Sequence, residues 1–186
     1  EGQAQAQAQL DQLLEDFPAA MQETMQRMWS SKLGLPSADD TLVQKLLKLL
    51  VESSADYSMF FRLLSDLPEQ IDPLRDCFYL PLSAPLESQW KGWLLRWRAQ
   101  WPSGVDPALI SAGMRRVNPA ITWREWLIAP AYQQAAEGDT SLMAELQQLF
   151  STPYDTPSPE LLVRYDRLKP REFFSAGGVS HYSCSS

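Results

Sequence analysis

From Leu10 onward the large apolar residues of this chain return chiefly at steps of three and four. Leu10, Leu13, Leu14, Phe17, Met21, Met25, Met28 and Trp29 make the first series. Leu42, Val43, Leu46, Leu47, Leu49 and Leu50 make a second, apolar around much of its circumference, and Tyr57, Phe60, Phe61 and Leu64 a third. A period near 3.6 sets side chains on one face of a helix, whereas a strand needs alternation. No stretch alternates for long. The expected class is all-α, with irregular proline-rich loops between helices.

Punctuation sets the expected boundaries. The GQAQAQAQ opening is low-complexity and is expected to fray over residues 1–9. Pro18 should kink or break the first helix, and Gly34 suits the left-handed position just past its end. Ser37 with Asp40 resembles a capping box for the second helix, Asp56 should start the third, and Asp106-Pro107 should open another. Pro68, Pro73, Pro81 and Pro85 imply loops and short turns. A helix carrying Trp123, Trp126 and Leu127 should lead towards Gly138, and Asp139 should cap a last regular helix. Residues 153–159, PYDTPSP, form a loop, with mostly irregular chain beyond it. The expected organisation is one helical region over residues 10–170 and a flexible tail over 171–186.

Totals narrow the function. A length of 186 residues suits one domain or a sizeable piece of a larger one, and 45% apolar content suffices for a packed core. The net charge of −7 opposes nucleic acid as a partner, since phosphate binding needs a basic face. No apolar run approaches bilayer-spanning length, and no signal peptide opens the chain, so neither membrane insertion nor secretion is expected. Its first residue is Glu rather than Met, which points to a processed or cut polypeptide. Cys77, Cys184 and a single histidine, His181, cannot complete a four-ligand zinc site or a disulfide framework, which makes a reducing compartment the default.

The sequence holds neither G-x-x-x-x-G-K-[ST] nor G-x-G-x-x-G, and neither H-R-D nor D-F-G. A serine triad would have to use His181 in a mobile tail, which preorganises poorly. No complete active site is therefore expected within the chain. The stretch WKGWLLRWRAQW could stack bases or lie on a membrane, or its indoles could fill the core with arginines over their rims; the acidic total favours the core. Cys77 reads as a small buried hydrophobe. Cys184, among serines at a chain end, has no apolar burial to expect, and His181 three residues earlier could favour its thiolate. Asn118, Arg124 and Asp139 suit helix capping and buried hydrogen bonding.

Several segments, in order, resemble one family. They are Lys32-Leu33-Gly34-Leu35, Asp56-Tyr57 with Phe61-Arg62-Leu63-Leu64, and Pro73-Leu74-Arg75-Asp76 with Phe78. Trp90 leading to Arg96-Trp97 comes next, then the most specific block, Met114-Arg115-Arg116-Val117-Asn118-Pro119 with Arg124 and Trp126-Leu127. Ala135-Ala136-Glu137-Gly138-Asp139, Pro153-Tyr154 and the terminal Ser183-Cys184-Ser185-Ser186 complete the series. Together they are similar to the selenoprotein O or YdiU family of pseudokinase-like protein AMP-transferases.

The resemblance implies a protein-kinase-like fold that uses ATP in an inverted orientation, with Mg²⁺ or Mn²⁺, to transfer AMP to hydroxyl groups of protein side chains. The family's nucleotide and metal residues lie upstream of the matched region. The chain thus resembles the helical carboxy-terminal part, with no catalytic residue, metal ligand or ATP-binding position of its own. Its implied partners are the amino-terminal kinase-like part and the protein substrates, in a bacterial cytoplasm or a mitochondrion. Arg75, Asp76, Asn118, Pro119, Arg124, Gly138 and Asp139 are family-motif positions expected to serve structure. Cys184 matches the terminal cysteine or selenocysteine associated with redox control, with His181 as its possible helper. Glu125 stands where the family usually has asparagine, and KPREFFSAGGVSHY departs from the family's proline-tryptophan pattern. The rival reading is a free-standing all-α module that binds other proteins; a thiol-redox protein is disfavoured by the absence of C-x-x-C.

Overall fold

The computed structural model describes residues 2–174, and among these it contains helices and 3₁₀ turns with no strand. Eight α-helices follow one another: α1 (Gly2–Leu33), α2 (Asp40–Glu52), α3 (Tyr57–Leu64), α4 (Ala84–Arg98), α5 (Pro107–Arg115), α6 (Glu125–Ala136), α7 (Ser141–Ser151) and α8 (Pro159–Tyr165). Two 3₁₀ turns, Asp72–Cys77 and Arg171–Phe174, complete the described chain. The all-α expectation holds.

Several boundaries differ from those expected. The alternating Gln-Ala stretch is the opening of α1, because both residues favour helix and no glycine or proline interrupts them before Pro18. Pro18 does not break α1. The helix there is exposed on all sides, so water can satisfy the carbonyl that proline leaves without a donor. Asp39, not Ser37, caps α2 by accepting from the Thr41 amide at 3.0 Å. That helix buries Leu42, Val43, Leu46, Leu49 and Leu50 but leaves Leu47 and Val51 exposed, so one face is buried rather than the whole circumference. Trp123 precedes α6 and is exposed. Past the loop, Ser158 caps α8, and the tail expected from residue 171 begins with a packed turn in which Phe173 meets Trp126.

Two apolar clusters result. The larger joins the end of α1 to α2, α3, the Asp72–Cys77 turn, α4 and α5. The smaller joins α6, α7 and α8, with Ile121, Trp126, Leu127, Leu146 and Tyr165 at its centre. In the larger cluster α4 presents Trp90, Trp93 and Trp97 at three- and four-residue spacing, all fully buried. Each indole N–H donates inward: Trp90 to Ser53 Oγ (2.8 Å), Trp93 to the Leu42 carbonyl (3.0 Å) and Trp97 to the Leu33 carbonyl (2.7 Å). The tryptophan stretch is core.

The end of α1 is closed in an unusual degree of detail. The Leu35 amide donates to the Ser30 carbonyl and the Gly34 amide to the Ser31 carbonyl, a Schellman pair. The Lys32 carbonyl accepts from Asn118 Nδ2 (2.9 Å) and the Leu33 carbonyl from Trp97. All four orphan carbonyls of the helix end are thereby satisfied. Gly34 sits at φ +64°, and a Cβ there would fall 2.6 Å from Ile110 Cγ2 and 2.8 Å from Met114 Sδ. Gly34→Ala should therefore cost about 1–2 kcal/mol for the left-handed backbone and a further ~1–3 kcal/mol for overpacking against α5. A urea midpoint shift checks it; an unchanged midpoint would contradict the close approach.

Candidate functional site

Between the two apolar clusters lies a polar seam, and its central donor is Arg62. This residue belongs to the apolar helix α3, so burying its neighbours Phe60, Phe61 and Leu64 carries its guanidinium inward as well. Nη1 donates to the carbonyls of Asn118 (3.2 Å), Tyr154 (3.3 Å) and Arg115 (3.5 Å), and Nη2 to Thr156 Oγ1 (3.1 Å). A planar fork with fixed donors suits this task better than an ammonium would. Burial, and then the charge of Arg115, pull its pKa down, against Asp66 and Asp166, which raise it.

Asn118 occupies the next position. Fully buried, it accepts from Lys32 Nζ (3.0 Å) and donates to the Lys32 carbonyl and to Ser65 Oγ (3.2 Å). Lys32 lies over the Phe61 ring at 4.5 Å, and burial lowers its pKa. Pro119 follows, half-buried, and Ala120 then donates its amide to the Pro153 carbonyl at 2.8 Å. Arg124 makes a two-pronged pair with Asp56, whose side chains are only 13% and 10% exposed. Asp56 also caps α3 by accepting from the Met59 amide (3.0 Å), as its sequence position suggested.

Asp166, just past α8, faces the same charges. Burial raises its pKa, with Arg124 as the largest opposing influence. A carboxyl whose folded pKa lies above its unfolded value favours the fold in acid, and that contribution is lost as pH rises through the folded pKa. Asp166→Asn should accordingly raise the melting temperature at pH 7 and leave it unchanged at pH 3. Destabilisation at pH 7 would show instead that the Arg62 and Arg124 charges outweigh burial.

The remaining sequence-selected residues lie apart from the seam. Arg75 is exposed and bridges Asp72 and Glu87, tying the 3₁₀ turn to α4, and Asp76 beside it is also exposed. Gly138 ends α6 at φ +95°, and Asp139 accepts from the Ser141 amide (2.9 Å) at the start of α7; hydrogen bonds from Ser141 lower its pKa. Cys77 is fully buried, its thiol donating to the Leu74 carbonyl, and burial pushes its pKa up to about 12. Cys184 and His181 lie outside the described residues.

Hydrogen bonds of Arg62, Asn118 and Lys32 tie α1 and α3 to the chain on either side of α6 and α7. Among the described residues no group of three or more His, Cys, Asp or Glu side chains could hold a metal ion. No described helix is long and apolar enough to cross a membrane. Candidate selection from sequence named Asn118, Pro119 and Arg124 but overlooked Arg62, Lys32 and Thr156 as their companions. One signal was available for Arg62: a lone charge in an eight-residue stretch that also carries Tyr57, Met59, Phe60, Phe61, Leu63 and Leu64.

Residues 4–151 match the family model described as protein adenylyltransferase SelO. A protein nucleotidyltransferase YdiU from Aromatoleum aromaticum is 32% identical over 182 residues, covering 93% of this chain and 34% of the relative. The YdiU proteins of Salmonella arizonae and Salmonella typhi are each 30% identical over 151 residues, covering 78% of this chain and 30% of the relative. The chain spans about a third of the length of the curated relatives it matches.

Proposed function

The chain belongs to the protein adenylyltransferase SelO family, and we propose that it is the helical carboxy-terminal part of a protein AMP-transferase with a kinase-like fold. In the proposed reaction a Ser, Thr or Tyr hydroxyl of a protein substrate bonds to the α-phosphorus of ATP. The α–β anhydride bond breaks, pyrophosphate leaves and the hydroxyl proton passes to solvent; Mg²⁺ or Mn²⁺ would offset the charge of the phosphates. The observation carrying this reading is the family match over most of the chain, set against coverage of only about a third of the relatives' length.

Under this reading ATP, the metal ion and the catalytic residues belong to the amino-terminal kinase-like part, on which this chain would pack. The chain's own contribution is a fixed helical body, held by the Arg62 and Asn118 seam, that carries the Cys184 tail. A thiolate at Cys184, aided by His181, would form a disulfide with a cysteine elsewhere in the longer protein; two thiols lose two electrons and two protons to a cellular oxidant, and a thiol reductant reverses the step. A bacterial cytoplasm or a mitochondrion, both reducing compartments, is the proposed setting.

Transfer from labelled ATP, with Mg²⁺ or Mn²⁺, tests this on the 186-residue chain and on a longer polypeptide carrying it, with Cys184 intact and as Cys184→Ser. Transfer should be confined to the longer protein, and reductant should alter it only when Cys184 is present. Labelling of substrate by the short chain alone would overturn the assignment of the active site upstream. Indifference to reductant would remove the redox role, and inactivity of every form would favour an interaction module.

A further inference from the structure

Helix α1 projects from the core, and every side chain from residue 9 to residue 27 is exposed. Only its last two turns reach the larger cluster, through Trp29 and Leu33. Yet the projecting part is amphipathic. Leu10, Leu13, Leu14, Phe17, Met21 and Met25 fall within an arc of about 120° at 3.6 residues per turn. Leu13, Leu14 and Phe17 are 67%, 65% and 59% exposed. The opposite face is polar and engaged with itself: Gln12 donates to Asp16, and Arg27 pairs with Glu23. Six large apolar side chains in one continuous ridge exceed the scattered hydrophobes that a surface tolerates without a role.

We infer that this ridge seats α1 against the remaining part of the longer polypeptide, in an intramolecular interface. The inference rests on the reading above that the chain is one part of a longer protein, but not on AMP transfer itself. The family match begins at residue 4, so the ridge lies within what relatives share. Those relatives carry further chain beyond the third matched here, enough to supply a cover. A second copy of this chain fits less well. The ridge holds roughly two heptads, short of the three or four that a self-sufficient coiled coil sustains. The projecting part also carries Asp11, Glu15, Asp16 and Glu23 against Arg27 alone, so two copies would bring like charges together. The receiving surface is an apolar groove with basic flanks.

Leu13→Cys, Phe17→Cys and, on the polar face, Gln12→Cys, each with Cys184→Ser, allow maleimide labelling of the 186-residue chain and of the longer polypeptide. Positions 13 and 17 should label about tenfold more slowly or less in the longer protein, while position 12 keeps its rate. Equal rates at 13 and 17 in both proteins would overturn the inference, as would equal protection of position 12. Protection within the short chain, with a doubled mass in solution, would assign the ridge to a second copy and overturn it likewise. Should a cysteine variant fail to fold, slowed amide exchange of residues 13–17 in the unsubstituted longer protein reads the same cover. Transfer activity enters none of these outcomes, so loss of the AMP-transferase reading would leave the test intact.

Discussion

Asp56→Ala is expected to lower the stability of the chain by about 3–5 kcal/mol, the loss typical when a buried ion pair is deprived of one member. Its side chain and that of Arg124 are 10% and 13% exposed, so the guanidinium left behind cannot recover its hydration. The same substitution removes the α3 cap on the Met59 amide, a loss of about 1 kcal/mol by itself. Asp56→Asn separates the two contributions, since it keeps a capping oxygen and removes the charge. The double variant Asp56→Asn with Arg124→Met should be milder than Asp56→Ala, because no charge is then left buried. Urea denaturation with unchanged slope measures all three. A change within about 0.5 kcal/mol for Asp56→Ala would mean that the pair is open to water.

Trp97→Ala should cost a comparable ~3–5 kcal/mol, and the phenylalanine variants tell why. Trp97 stacks on Trp93 with ring centroids 5.9 Å apart and donates to the Leu33 carbonyl at 2.7 Å. Trp97→Phe preserves much of the packing but leaves that carbonyl without its donor, for an expected loss of about 1–3 kcal/mol. Trp101→Phe is the contrast. Its buried Nε1 has no hydrogen-bond partner among the described residues, so replacement should be close to neutral. Equal losses for the two phenylalanine variants would show that ring volume, not the Leu33 hydrogen bond, sets the effect.

The helices were legible because burial needs only a local period. Leu42 through Leu50 and the tryptophans of α4 announce their faces without reference to any other segment. The caps at Asp56 and Asp106 were legible, and each side chain accepts from a first-turn amide of its helix. At α2 the capping-box pattern pointed to Ser37 with Asp40, but Ala38 is buried and Asp39 is the cap, a choice that depends on how α2 docks. The seam was hidden for a different reason. Arg62 and Thr156 are 94 residues apart in the chain, and the other three acceptors of Arg62 are backbone carbonyls. Every residue owns a carbonyl, so no residue type marks those positions.

The closure of α1 also makes that helix a pointer. Side chains from positions 97 and 118 hold its final carbonyls, so both the tilt and the rotation of the projecting rod are set inside the core. Met21 lies about 18 Å along the axis from Leu33, so a 10° tilt at the base would swing it roughly 3 Å sideways. A groove shaped for one ridge would register that displacement. Aim, and not only stability, is therefore decided at Trp97 and Asn118.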